Sequence, residues 1–215
     1  MAGKKPDKSN AEASGPGSLM EEIRGCRICV ERPSGRPLPH EPRPVAILSP
    51  TARIAICGQA PGTRVHASGV PFTDPSGDRL RDWMGIGSEA FYDASRLAIV
   101  PMGFCFPGLD AKGGDLPPRR ECAGQWRSRI FEAMPQIELV LAVGLYAQKW
   151  HLGAAVGDSL TATVANWRAI LSASREPAIL PLPHPSWRNN AWIRKNPWFE
   201  NDLLPELKKR VRQLL

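Results

Sequence analysis

The chain has 215 residues, a formal net charge of +7 and a sequence pI near 9.5. That length suits a single domain with a proper core. No apolar run approaches the roughly 20 residues needed to cross a bilayer, and the N-terminus lacks the apolar stretch of a signal peptide. An intracellular protein is expected, with a polyanionic partner, nucleic acid ahead of membrane.

Residues 1–18 are polar, carry lysines and mix Gly, Ser and Pro, so a disordered basic tail is expected there, with one domain over 19–215. "LMEEIRGC" reads as a short helix leading into "CRIC". The stretch 31–50 holds too many prolines for regular structure and should wrap the surface.

"ARIAICG" is a short apolar run closed by glycine, the pattern of a buried strand. "DRLRDWMGI" has helical spacing, with Leu80, Trp83 and Met84 on one face and "PSGD" as its start signal. "LAIVPM" is a second strand, "ECAGQWRSRIFEAM" an amphipathic helix, "IELVLAVG" a third strand and "LYAQKWHLG" a helix. "AILPLPHPS" supplies a fourth strand and "FENDLLPELKKRVRQLL" a closing helix. Alternating strands and helices predict an α/β three-layer sandwich, with a central, mostly parallel four-stranded sheet flanked by helices. Sites in such sheets lie beyond the carboxyl ends of the strands.

Five cysteines in an intracellular chain argue for metal binding or burial rather than disulfides. Cys26 and Cys29 form a CxxC pair, Cys105 and Cys122 lie in mid-chain, and Cys57 sits within a strand as a small hydrophobe.

Two strand-end motifs stand out, "GQAPG" at 58–62 and "HPSWRN" at 184–189. The first is neither a P-loop nor GxGxxG; its glycines suit a backbone that comes close to a small planar ligand. Together with "GVPF" and the ordered cysteines, these motifs resemble the uracil-DNA glycosylase superfamily, and within it the iron–sulfur branch often called family 4. The resemblance runs from about residue 20 to the end.

It implies that His184 donates a hydrogen bond to the leaving base, that Phe72 stacks on the flipped base, and that Gly58, Gln59 and Ala60 line its edge. The Gln59 side chain could orient water, though glutamine cannot act as a general base. It further implies that Ser186, Trp187, Arg188 and Asn189 form a DNA-contacting loop, Trp187 or Arg188 being the wedge, with Arg194 and Lys195 near phosphates. Cys26, Cys29, Cys105 and Cys122 would hold a [4Fe–4S] cluster; four thiolates suit zinc as well.

The chain departs from the family at two positions. Ala60 stands where the best-known uracil enzymes carry an aspartate, so Asp74 becomes the first candidate for handling water, with His66 second; Asp74 is equally suited to cap the following helix. The asparagine that relatives place before the mid-chain cysteine is missing from "AIVPMGFC". The leading expectation is a monofunctional DNA glycosylase acting on uracil or another damaged base in single- or double-stranded DNA. The alternative is a relative that binds damaged or abasic DNA with little turnover. A monomer associated with the nucleoid is expected.

Overall fold

The computed structural model describes residues 15–173 and 176–215. The tail expectation for residues 1–14 lies outside them, but its last residues do not: helix α1 spans Pro16–Arg24, one turn inside the expected tail. After it come α2 (Ile28–Glu31), β1 (Ile54–Cys57), α3 (Thr63–Ser68), α4 (Pro75–Met84), α5 (Ser88–Tyr92) and β2 (Leu97–Ile99). The chain continues through α6 (Arg120–Ala133), β3 (Leu139–Val143), α7 (Leu145–Leu152), α8 (Leu160–Ala165) and α9 (Trp167–Ser172). It ends with β4 (Ala178–Leu182), α10 (Asn190–Lys195) and α11 (Leu204–Leu214).

The four strands form one sheet in the order β2-β1-β3-β4, and every pairing is parallel. The α/β sandwich expected from the alternating runs is therefore present, its sheet wholly parallel. Helices cover both faces, which is why the strands read as unbroken apolar runs rather than alternating ones. One face carries small residues, Ala55, Cys57, Ala98 and Ala142, against which α1 and α6 pack closely. The other carries Ile54, Ile56, Leu141, Val143 and Leu180, packed on α4 and α11 through Leu80, Trp83, Leu207 and Val211.

Pro181 is tolerated because β4 pairs only with β3, an edge position. Trp192, Trp198 and Phe199 pack together at T-shaped angles against the second core, as expected of aromatics seating the last helix. Among the described residues, no helix is long and apolar enough to cross a membrane.

β1 pairs with β2 on one side and β3 on the other, so the chain direction of growth reverses at β1. The crevice beyond the carboxyl ends of its neighbours is the favoured ligand position in such a sheet. "GQAPG" follows β1 and "HPS" follows β4, and both open there.

Candidate active site

Two joined cavities occupy that crevice. The inner one, about 90 Å³, is lined by Gly58, Gln59, Ala60, Phe72, Asp74, Ser76, Pro101, Asp115 and His184, among others. The outer groove, about 510 Å³, is lined by Gln59, Ala60, Arg64, Asp74, Asp115, His184, Ser186, Trp187 and Arg188. The sequence-derived candidates of both motifs thus meet at one place.

Phe72 closes the inner cavity under backbone strain. Its φ of 56° is left-handed, a region costly for a residue with a Cβ. Three neighbours fix it there. Its carbonyl oxygen accepts from the Tyr92 hydroxyl (3.0 Å) and from Arg81 Nη1 (3.4 Å), and Gly77 leaves room for it. The ring meets Phe91 edge-on at 5.8 Å, while its tip lies 3.5 Å from where a Gly58 Cβ would be. A side chain at 58 would rest against the ring in ordinary contact, so glycine leaves that space to the cavity it lines. The N–H groups of Gln59 and Ala60 donate to no protein acceptor among the described residues, which leaves them available to a ligand edge.

His184 is held on three sides. Its Nδ1 accepts from the Ser186 N–H at 3.2 Å, so the neutral ring carries its proton on Nε2. Asn189 Nδ2 donates to the His184 carbonyl at 2.6 Å, and Arg79 donates to the Ser186 carbonyl at 3.1 Å. Burial pushes the His184 pKa below the ordinary 6.5, against the opposing pull of Asp74 and Asp115. A neutral imidazole with Nε2–H as donor is the form this environment favours. Asn189, expected at DNA, lines neither cavity and braces the loop instead.

Asp74 both caps and faces the site. Its Oδ1 accepts from the Ser76 and Gly77 N–H groups at the start of α4, one residue before the "PSGD" expected as the signal. Its Oδ2 has no protein partner among the described residues. Gln59 Nε2 reaches the Leu116 carbonyl at a long 3.4 Å. His66 lines neither cavity; its ring packs on His40 (4.3 Å) and Phe106 (5.6 Å), because α3 turns it away toward the proline-rich arm.

Residues 45–208 match the family model described as Uracil DNA glycosylase superfamily, which is most of the chain. The chain belongs to that superfamily. Its members act on DNA and are in general hydrolytic glycosylases. In this superfamily member Ile99 and Pro101 wall the pocket on the side of the missing asparagine. Trp187, 73% exposed, stands on the outer rim with the Arg188 guanidinium 6.0 Å from its ring centre.

The four candidate cysteine ligands gather away from this pocket. All are free thiols, and two of the sulfurs receive an N–H donor. Trp126 Nε1 reaches Cys26 at 3.4 Å and the Phe104 N–H reaches Cys122 at 3.4 Å. Burial pushes the Cys29 thiol up to about 11 and Cys105 up to about 12, with neighbouring cysteines adding repulsion. Although the thiols feel one another's charge, no group of three or more His, Cys, Asp or Glu side chains among the described residues closes around a single ion.

Sequence reasoning missed two features. Asp115 lines both cavities from a Gly-rich turn that carries no motif. Arg127, 1% exposed, donates to the Val100 and Pro101 carbonyls and lies 3.1 Å from Cys57 Sγ and 2.6 Å from His151 Nε2. The Arg127 bonds hold the strand end that forms the pocket wall.

Proposed function

We propose that the chain is a monofunctional DNA glycosylase of the iron–sulfur branch, which hydrolyses the N-glycosidic bond of uracil or a related damaged base. The observation that carries the proposal is His184: a neutral, braced imidazole with a free Nε2–H at a cavity closed by Phe72.

A flipped base entering the inner cavity would stack on Phe72 and meet the N–H groups of Gln59 and Ala60. As the glycosidic bond lengthens, its electron pair moves onto the base and negative charge grows on the pyrimidine O2. A preorganised donor aimed at that oxygen contributes about 3 kcal/mol of transition-state stabilisation. His184 serves as that donor without needing to be protonated. The sugar is left with positive character, which the free Oδ2 of Asp74 would stabilise, and water completes the hydrolysis. Trp187 would fill the gap in the stack, and Arg64 and Arg188 would meet phosphates. No lysine lines either cavity, which favours direct hydrolysis over Schiff-base chemistry.

Cys26, Cys29, Cys105 and Cys122 would hold the [4Fe–4S] cluster. The N–H groups of Trp126 and Phe104, aimed at the Cys26 and Cys122 sulfurs, are the kind of donors that support cluster ligands. The cluster's contribution would be structural, tying the N-terminal arm to α6 beside the Arg129–Glu22 ion pair. Apolar walls at Ile99 and Pro101 supply no side-chain amide to distinguish uracil from cytosine, which favours a range of damaged bases.

The test is base release from oligonucleotides carrying uracil and a panel of deaminated bases, single- and double-stranded, followed by alkaline cleavage. Cleaved strands are expected with at least one base. Full-length strands throughout, with tight binding retained, would replace the enzyme by a binding relative.

A further inference from the structure

We propose that Asp115 is a catalytic residue of this site: the carboxylate that takes a proton from the attacking water at the reacting sugar carbon. The proposal rests on the glycosylase reading above.

The position follows from the two cavities. A base held in the inner cavity and a backbone held in the outer groove put the glycosidic bond where the two meet. The side chains common to both are Gln59, Ala60, Asp74, Ser76, Asp115 and His184. Only Asp74 and Asp115 among them are carboxylates, and so able to take a proton near neutral pH. Asp74 has one oxygen committed to its helix cap. Asp115 makes no side-chain hydrogen bond or ion pair to a described residue, so both of its oxygens are free for water.

The turn that carries Asp115 is rigid despite its glycines. Asp110 Oδ1 accepts from the Lys112 and Gly114 N–H groups, each at 2.8 Å, and Leu109 bridges Asp115 in antiparallel fashion. The Leu116 N–H donates to the Gly108 carbonyl at 2.9 Å. An unpartnered carboxylate on a braced turn is preorganised for a ligand rather than for its own loop.

Charged neighbours surround it from each side. Arg188 and His184 come from the loop after β4, Asp74 from the start of α4, and Arg64 from α3 across the groove. Asp115 is exposed to solvent on the groove side; partial desolvation, the largest influence on it, raises its pKa, Asp74 adds to this, and Arg188 and His184 oppose it. A raised carboxylate is a better base. In the step, the C–N bond breaks with its electron pair going to the base, and the water oxygen then bonds to the cationic sugar carbon. One water proton passes to Asp115 and then to solvent, and the base leaves as an anion that is protonated in water.

The experiment is single-turnover base release by the full chain across pH, for the wild type and for Asp115→Asn, Asp115→Glu and Asp74→Asn, with DNA affinity and thermal melting measured alongside. Protonating Asp115 removes the base, so the wild-type rate should fall as pH drops through its pKa. Asp115→Asn is expected to lose on the order of 100-fold in rate, keep DNA affinity and melting temperature, and lose that acid limb. Asp115→Glu should restore part of the rate, and Asp74→Asn should retain the limb. An Asp115→Asn rate within threefold of wild type, or one that keeps the acid limb, overturns the assignment while the glycosylase reading stands. A wild type inactive on every base tested overturns both.

Discussion

Gly77 stands so close to Phe72 that a Cβ added to it would lie 1.9 Å from the Phe72 carbonyl oxygen. This contact couples the first turn of α4 to the aromatic lid of the pocket, since the same oxygen receives Tyr92 and Arg81. The left-handed Phe72 backbone exists because all three neighbours agree on it.

Gly77→Ala should therefore reverse the usual helix rule. Alanine in a helix is ordinarily favoured over glycine by about 1 kcal/mol. Here the methyl group meets backbone that cannot rotate away, so Phe72 must shift. The expected outcome is a lower melting temperature together with at least a tenfold loss of base release. Unchanged melting and activity would mean that the lid tolerates another backbone conformation.

His184→Ala removes the donor but not the DNA groove. Base release should fall by about 100- to 1000-fold, the range for loss of one such donor, while DNA affinity changes only a few-fold. Because burial lowers the His184 pKa, the neutral ring persists below pH 6.5, and no inflection in rate belonging to this residue is expected near that value. Titration of the ring followed by NMR would check it directly.

How far the chain could be read without its structure depended on element length. The four strands were legible because each is an apolar run closed by Gly or Pro, α4, α6 and α11 because two or more turns carry an apolar face, and α7 because it directly follows a strand. The helices α3, α5, α8 and α9 are too short to show one. The GQAPG and HPS motifs pointed to the pocket because turn chemistry is local. Asp115 was not legible: its role comes from a turn folded over the groove, and "GGD" alone reads as an ordinary loop. Arg127 was hidden for the opposite reason, since an arginine on an amphipathic helix reads as solvated.

The cysteine region offers a separate check. Purified without chelators, the protein should contain iron and acid-labile sulfide and absorb broadly in the visible. Cys122→Ala, which removes the proposed ligand on α6, should abolish both signals and lower the melting temperature. A colourless protein loaded with stoichiometric zinc would replace the cofactor assignment, leaving the pocket argument intact.

Trp187 and Arg188 should separate by substrate and by salt. Trp187→Ala loses a stacking partner worth roughly 1–3 kcal/mol, and should impair release from duplexes more than from single strands, where no gap needs filling. Arg188→Ala should weaken both and reduce the salt dependence of binding by about one phosphate contact. Equal losses on both strand types for Trp187→Ala would rule out a wedge.

His151 makes the stability of the fold depend on pH in a stated direction. Burial, with Arg127 beside it, pushes its pKa down from 6.5 to about 3. Between those values the unfolded chain binds a proton that the folded chain refuses, so stability must fall as pH drops from about 6.5 toward 3. One such group contributes a slope of at most about 1.4 kcal/mol per pH unit. His66 and His184 are shifted the same way, so the wild-type slope contains their share too. His151→Gln isolates this one: its amide oxygen can still accept from Arg127, but it cannot titrate. Urea denaturation at pH 7 and pH 5 should show a smaller loss for His151→Gln than for wild type. Parallel losses would mean that water reaches the ring and that Arg127 is held by the strand-end carbonyls and Cys57 alone.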